Sequence, residues 1–102
     1  MFPSAVSDHS QHLAIEPQSA IEGDDITLTC RATRYLYTDL QWYDPQNRSV
    51  TTSELQLSPY AISLALILTN VSRSHTLGYQ CRAQNHQNKV TQKTSVLTVD
   101  SE

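Results

Sequence analysis

Only two cysteines and two glycines occur among the 102 residues, and long apolar runs are missing altogether. Each shortage excludes something. The longest nearly unbroken apolar stretch, Leu64 to Leu68, falls far short of the roughly 20 residues that cross a bilayer. No basic start followed by an apolar stretch marks a signal peptide, so a chain of secreted character is expected to be an excised segment, with Met1 as an added start. Without a Gly-rich loop or a strand-turn-helix nucleophile elbow, nothing organises the Ser, His and Asp side chains for catalysis. Basic charge is scarce too: Lys plus Arg number 7 against 10 for Asp plus Glu, a formal net charge of −3. Nucleic-acid binding therefore has no electrostatic footprint. Cys30 and Cys81 stand 51 apart, which excludes a close C-x-x-C redox or zinc pair. A disulfide is the natural reading, against two buried free thiols in a cytosolic domain. His9 and His12 have a spacing that a helix could offer a metal, but no further ligand lies near them and their surroundings are not helical. Neither a metal nor a cofactor is expected.

What is present reads as one domain with one core. Residues 1–10 carry Pro and Ser without apolar periodicity and read as a linker or irregular segment; the domain is expected over 11–100. Leu13 and Ile15 alternate until Pro17 interrupts them, as in an edge strand that changes sheets. Ile26, Leu28 and Cys30 alternate with Thr27, Thr29 and Arg31, which predicts a strand with one buried face. After a loop over Arg34–Thr38, Leu40 and Trp42 point inward on a strand ending at Tyr43. The turn Asp44-Pro45-Gln46-Asn47-Arg48 follows. Leu64, Leu66 and Leu68 alternate on a strand spanning 62–69, and Val71 is expected to plug the base of the core. A strand over 78–84, a hairpin tip at Asn85–Asn88 and a continuous last strand over 89–99, with Leu97 and Val99 inward, complete the pattern. No internal repeat or helical stripe competes with it.

Cys30, Trp42 a dozen residues on, and Tyr79 two before Cys81 form the internal signature of an immunoglobulin sandwich. The expected fold is all-β, an immunoglobulin-like β-sandwich of I-set or C2-like type, with about seven strands and one disulfide between the sheets. The stretch between Trp42 and Leu64 is too short for the extra strand pair of a variable-type domain. Trp42, Tyr79, Leu28 and Leu66 are the expected core, and the Tyr79 hydroxyl is expected to bond backbone upstream of its strand.

Four stretches together resemble the vascular endothelial growth factor receptor family, whose members are receptor tyrosine kinases with seven immunoglobulin domains outside the cell. They are Glu22 to Cys30, Tyr35 to Trp42, Asn70-Val71-Ser72 and Cys81-Arg82-Ala83-Gln84-Asn85, and together they most resemble the sixth domain. The resemblance implies a membrane-proximal, extracellular module of a plasma membrane receptor that acts as spacer and protein contact. Its partners would be neighbouring immunoglobulin domains or a receptor copy, without nucleic acid or membrane insertion. Growth factor contacts in that family concentrate in the second and third domains, so no ligand-binding residue carries over. An adhesion or immune receptor domain, and an intracellular muscle-type domain, are the rival readings.

One departure stands out. Immunoglobulin domains usually place Asp six and Gly four residues before the second Cys; here those positions hold His75 and Leu77, with Gly78 one place late. A different turn is expected there. His75 would add charge as pH falls below about 6.5, against the plain alternative of a solvated histidine. Asn47-Arg48-Ser49 and Asn70-Val71-Ser72 fit the glycan acceptor pattern. Tyr35 and Tyr37 are candidate partner contacts, one of them expected to roof the core. Arg82 and Lys93 are expected to face solvent on adjoining strands as a modest positive stripe.

Overall fold

Alternating apolar side chains become two packed layers in the computed structural model, which describes residues 12–101. The expectations for residues 1–10 and for His9 lie outside the described residues. The strands are β1 (Leu13–Ile15), β2 (Gln18–Ile21), β3 (Ile26–Thr33), β4 (Tyr37–Tyr43), β5 (Gln56–Leu57), β6 (Ala61–Leu68), β7 (Gln80–Asn85), β8 (Val90–Thr94) and β9 (Leu97–Asp100). A short 3₁₀ helix, Arg73–Leu77, links β6 to β7. One sheet has the order β1-β3-β6-β5, another β4-β7-β8, and β2 pairs with β9. These segments make the seven-strand immunoglobulin sandwich with its first and last strands each broken once.

The first break falls where expected. β1 runs antiparallel to β3, with Leu13 opposite Ala32, whereas β2 runs parallel to β9, with Gln18 opposite Leu97. Between them stands Pro17, which has no N–H to give to a ladder. The last strand was expected to run unbroken over 89–99, and here the structure differs. It stops at Thr94 and resumes at Leu97. The cause is Ser95, whose N–H donates to the Tyr79 carbonyl at 2.7 Å while its hydroxyl accepts the Tyr79 N–H at 2.9 Å. A hydroxyl thus stands where a ladder carbonyl would, and it keeps this buried polar residue satisfied.

The turn before β7 also departs from the usual pattern, as His75 and Leu77 suggested. Residues 73–77 wind into the 3₁₀ helix, and the His75 ring takes part in capping it: Nδ1 accepts the Ser72 N–H at 2.9 Å. That bond needs an unprotonated Nδ1, so the histidine supplies an acceptor where the usual acid would. Gly78 then leaves the helix at φ +98°, a region L side chains rarely adopt, and a Cβ on it would lie 2.8 Å from Thr94 Cγ2. Gly78→Ala should therefore cost about 1–3 kcal/mol from backbone strain, plus the steric conflict. In urea melts, adding Thr94→Ser should recover the steric part only; full recovery would show that the positive φ carries no cost.

The core lies between the two main sheets. Cys30 on β3 is bonded to Cys81 on β7, and both are fully buried beside Trp42, Leu28 and Val71. Leu66 belongs to the same cluster. The Trp42 indole N–H donates to the Leu64 carbonyl at 2.9 Å, across the sandwich. No extra strand pair lies between β4 and β6; the described chain there offers only an isolated bridge, Tyr43 to Ser49, and β5.

Tyr79 is half-buried against this cluster, but it is not held as expected. Among the described residues its hydroxyl makes no hydrogen bond to upstream backbone; its ring instead stacks on His75, with centroids 6.3 Å apart. Burial, and then the negative charge of Asp44, push the Tyr79 hydroxyl above its ordinary value. The neutral phenol is therefore favoured by the fold, and its contribution is lost only as pH rises through that raised value.

Candidate contact surface

The solvent face of β4-β7-β8 is built by alternation. With Leu40, Trp42, Cys81 and Ala83 turned inward, Asp39, Gln41, Tyr43, Gln80, Arg82 and Gln84 must turn outward. Register sets Arg82 opposite Gln41 on one side and Gln92 on the other. A shallow concavity lies over these residues, with Val90 on its rim.

Arg82 is the centre of that face. Its guanidinium carbon lies 3.9 Å above the centre of the Tyr43 ring. Nε donates to Gln92 Oε1 at 3.2 Å and Nη2 donates to Gln80 Oε1 at 3.1 Å and to Asn47 Oδ1. The hydrogen-bond acceptors are all neutral, so the group is held in place without a direct ion pair among the described residues. A guanidinium fixed over an aromatic ring keeps the planar geometry that suits pairing with a carboxylate.

Asp44 closes the edge of the face. Its Oδ1 accepts the N–H groups of Gln46 and Arg48, each at 2.9 Å, and its Oδ2 pairs with Arg48 Nε at 3.1 Å. The Arg48 backbone N–H, foremost, holds this carboxyl below its ordinary value, aided by the Arg48 charge and the Gln46 N–H and opposed by partial desolvation. A carboxyl with a lowered folded value adds stability that is complete above the ordinary carboxyl range and is lost as pH falls through the folded value. Asp44→Asn should thus be less stable than the wild type at neutral pH, and the gap should close as urea melts are taken down through the acid range. A gap independent of pH would contradict the assignment.

Of the four candidate contacts, only Arg82 lies on this face. Lys93 stands opposite Cys81, on the inward side of β8, and its Nζ donates to the Leu13 carbonyl at 3.1 Å. The expected positive stripe of Arg82 and Lys93 is therefore corrected: the two point to opposite sides of the sheet, and Lys93 tethers β8 to β1. Parity with Leu97 and Val99 was the available signal. Tyr37, expected in a loop, lies on β4 and is only 5% exposed. A register shift between Tyr37 and Asp39 reverses the alternation and turns this ring inward, so Tyr37 roofs the core. Tyr35 remains 67% exposed, in a turn beside Leu36. Missed altogether was the set of side-chain amides around Arg82, although outward parity on β7 pointed to Gln80.

Asn47 and Asn70 are exposed at φ 68° and 49°, and Asn88, outside any acceptor pattern, has φ 64°. Asparagine is among the few residues that tolerate this left-handed region. Turn geometry thus supplies its own reason for asparagine at both sites.

Comparison with known proteins agrees with this architecture. The model of the family described as "Immunoglobulin domain" matches residues 12–85. The chain is 55% identical over 102 aligned residues to "Vascular endothelial growth factor receptor kdr-like" of Danio rerio, covering 97% of this chain and 8% of that protein. It is 34% identical over 76 residues to "Vascular endothelial growth factor receptor 1" of Gallus gallus, covering 72% of this chain and 6% of that one. It thus spans under a tenth of the relatives it matches. Among solved structures, the Ig1 domain of mouse SynCAM 2 superposes with a TM-score of 0.67 at 24% identity, covering 90% of this chain and 98% of that domain. At that identity the likeness establishes the fold alone.

Proposed function

Because the chain belongs to the immunoglobulin domain family, we propose that it works as an extracellular module of a plasma membrane receptor of the growth factor receptor tyrosine kinase kind, acting by spacing and by protein contact. The observation that carries this is the 55% identity to a vascular endothelial growth factor receptor over 97% of the chain. Membrane-proximal placement belongs to the same proposal and rests on the likeness to a sixth domain. The Cys30–Cys81 bond supports an oxidising, extracellular setting over an intracellular muscle-type one. The β4-β7-β8 face, with Arg82 held over Tyr43, is the proposed contact surface; its neutral amides leave it soluble when uncovered. Asn47 and Asn70 are proposed glycan acceptors. A sugar on Asn47 would replace an Nδ2 hydrogen and leave Oδ1 free to accept from Arg82, so it would border the face without dismantling it.

An antibody raised against this chain should label unpermeabilised cells that express the native protein, and peptide-N-glycosidase should lower the protein's mass. Labelling only after permeabilisation, with Cys30 and Cys81 open to thiol reagents in the denatured protein, would overturn the extracellular reading.

A further inference from the structure

Asn47 stands at the rim of the β4-β7-β8 face with its side chain already bound to that face. The turn that carries it is braced: the Asp44 carboxylate accepts the N–H groups of Gln46 and Arg48, and the Asn47 N–H donates to the Asp44 carbonyl at 2.9 Å. Asn47 Oδ1 then accepts from Arg82 Nη2, whose guanidinium carbon lies 3.9 Å above the centre of the Tyr43 ring. Oδ1 and Nδ2 share one planar carboxamide. Its orientation is therefore set through Arg82, and a group joined to Nδ2 starts beside that guanidinium.

The concavity next to this point has the chemistry of a sugar seat. Three amide side chains, Gln41, Gln84 and Gln92, line it, with one acid, Asp39, and one base, Arg82. Gln92 gives its oxygen to Arg82 Nε, which leaves its Nε2 to donate, whereas Gln84 gives its Nε2 to Asn88, which leaves its oxygen to accept. Saccharide hydroxyl and N-acetyl groups both donate and accept, and neutral amides answer both needs. Val90, 58% exposed at the rim, offers apolar surface to an N-acetyl methyl. One acid against one base gives no strong field to steer a charged partner. From Tyr43 to Asp39 the strand runs about 14 Å, room for more than one pyranose ring.

We propose that the concavity over β4-β7-β8 seats the first sugars of a glycan on Asn47. This rests on the extracellular reading above, which supplies the sugar, and deepens it by naming what regulates the contact surface: protein reaches the concavity only where Asn47 is unmodified. Sugars joined to the chain need little affinity of their own, because linkage raises their effective concentration, and a braced attachment has little freedom left to lose. Asn70 has no such neighbour. Its N–H donates to Asp25 Oδ1 at 3.0 Å, beside β3 of the other sheet.

Nuclear magnetic resonance on the 102-residue chain secreted from glycosylating cells tests the seat. Overhauser contacts are expected from sugar protons to the Val90 methyls and to the side-chain amides of Gln41 and Gln92. Ser49→Ala removes the acceptor pattern and keeps Asn47, so it should abolish those contacts and shift the amide signals of Gln41, Gln84 and Gln92. Ser72→Ala, which removes the pattern at Asn70, should leave both in place. Gln41→Ala with Gln92→Ala should keep the mass of the sugar on Asn47 and lose its contact with Val90. A sugar whose contacts stop at the turn, or an Asn47 that stays unmodified, would overturn the proposal. The host exports the chain whatever its native place, so either failure is distinct from that of the extracellular reading, which surface labelling of native cells decides.

Discussion

Trp42→Ala should cost the domain about 3–5 kcal/mol, the range for removing a fully buried aromatic ring. Two losses combine. The first is the cavity left at a site that is 0% exposed and packed between the sheets. The second is the hydrogen bond from the indole N–H to the Leu64 carbonyl at 2.9 Å, whose net contribution is about 0.5–1.5 kcal/mol. Against a total stability of roughly 5–15 kcal/mol for a domain, such a loss removes a large fraction of what holds the fold. Trp42→Phe separates the contributions, because it keeps most of the apolar contact and removes only the donor. Urea melts should rank wild type above the phenylalanine variant and that above the alanine variant. A phenylalanine variant as stable as wild type would show that the Leu64 bond contributes nothing net.

Removing the disulfide should have an effect of similar size by a different route. The bond closes a loop between residues 51 apart, and the chain-entropy model gives such a loop about 4 kcal/mol through the unfolded state. Replacing both cysteines with alanine should therefore lower stability by about 2–5 kcal/mol. For a domain of this size that is roughly 4–8 °C of melting temperature per kcal/mol. Because both sulfurs are 0% exposed, a thiol reductant should act on the native protein only as fast as the sandwich opens. Reduction much faster than global unfolding would contradict that burial. The two changes should not add: Trp42 stands opposite Cys81 on adjacent strands, and residues in contact couple.

Much of this core was legible before any coordinates. Ile26, Leu28 and Cys30, like Leu64, Leu66 and Leu68, alternate without interruption, and a period of two needs no partner to declare which side is apolar. The Cys30, Trp42 and Cys81 arrangement supplied the pairing of sheets, and His75 with Leu77 marked the turn that would differ. The candidate surface was less legible. Arg82 was found, but the amides that hold it come from Asn47, Gln80 and Gln92, residues whose meeting depends on strand order and register. Tyr37 was misplaced because one register shift in β4 between Tyr37 and Asp39 turns Tyr37 inward against the alternation of the rest of the strand, and a bulge leaves little trace in composition.

The stretch before Cys81 divides the two kinds of information. From the sequence alone came the fold class, the single core, the three residues at its centre and the position of the anomaly. Those follow from local alternation and from the scarcity of residues such as Cys, Trp and Gly, whose places are chemically constrained. Only the tertiary structure decided how the anomaly is absorbed: a histidine ring that helps cap a 3₁₀ helix, a glycine at positive φ against Thr94, and Ser95 breaking the last strand to satisfy Tyr79. It also decided that Lys93 turns to Leu13 and that Asn47 meets Arg82. Those outcomes join residues far apart in the chain, so they depend on where the sheets place backbone donors and acceptors, which no local pattern records.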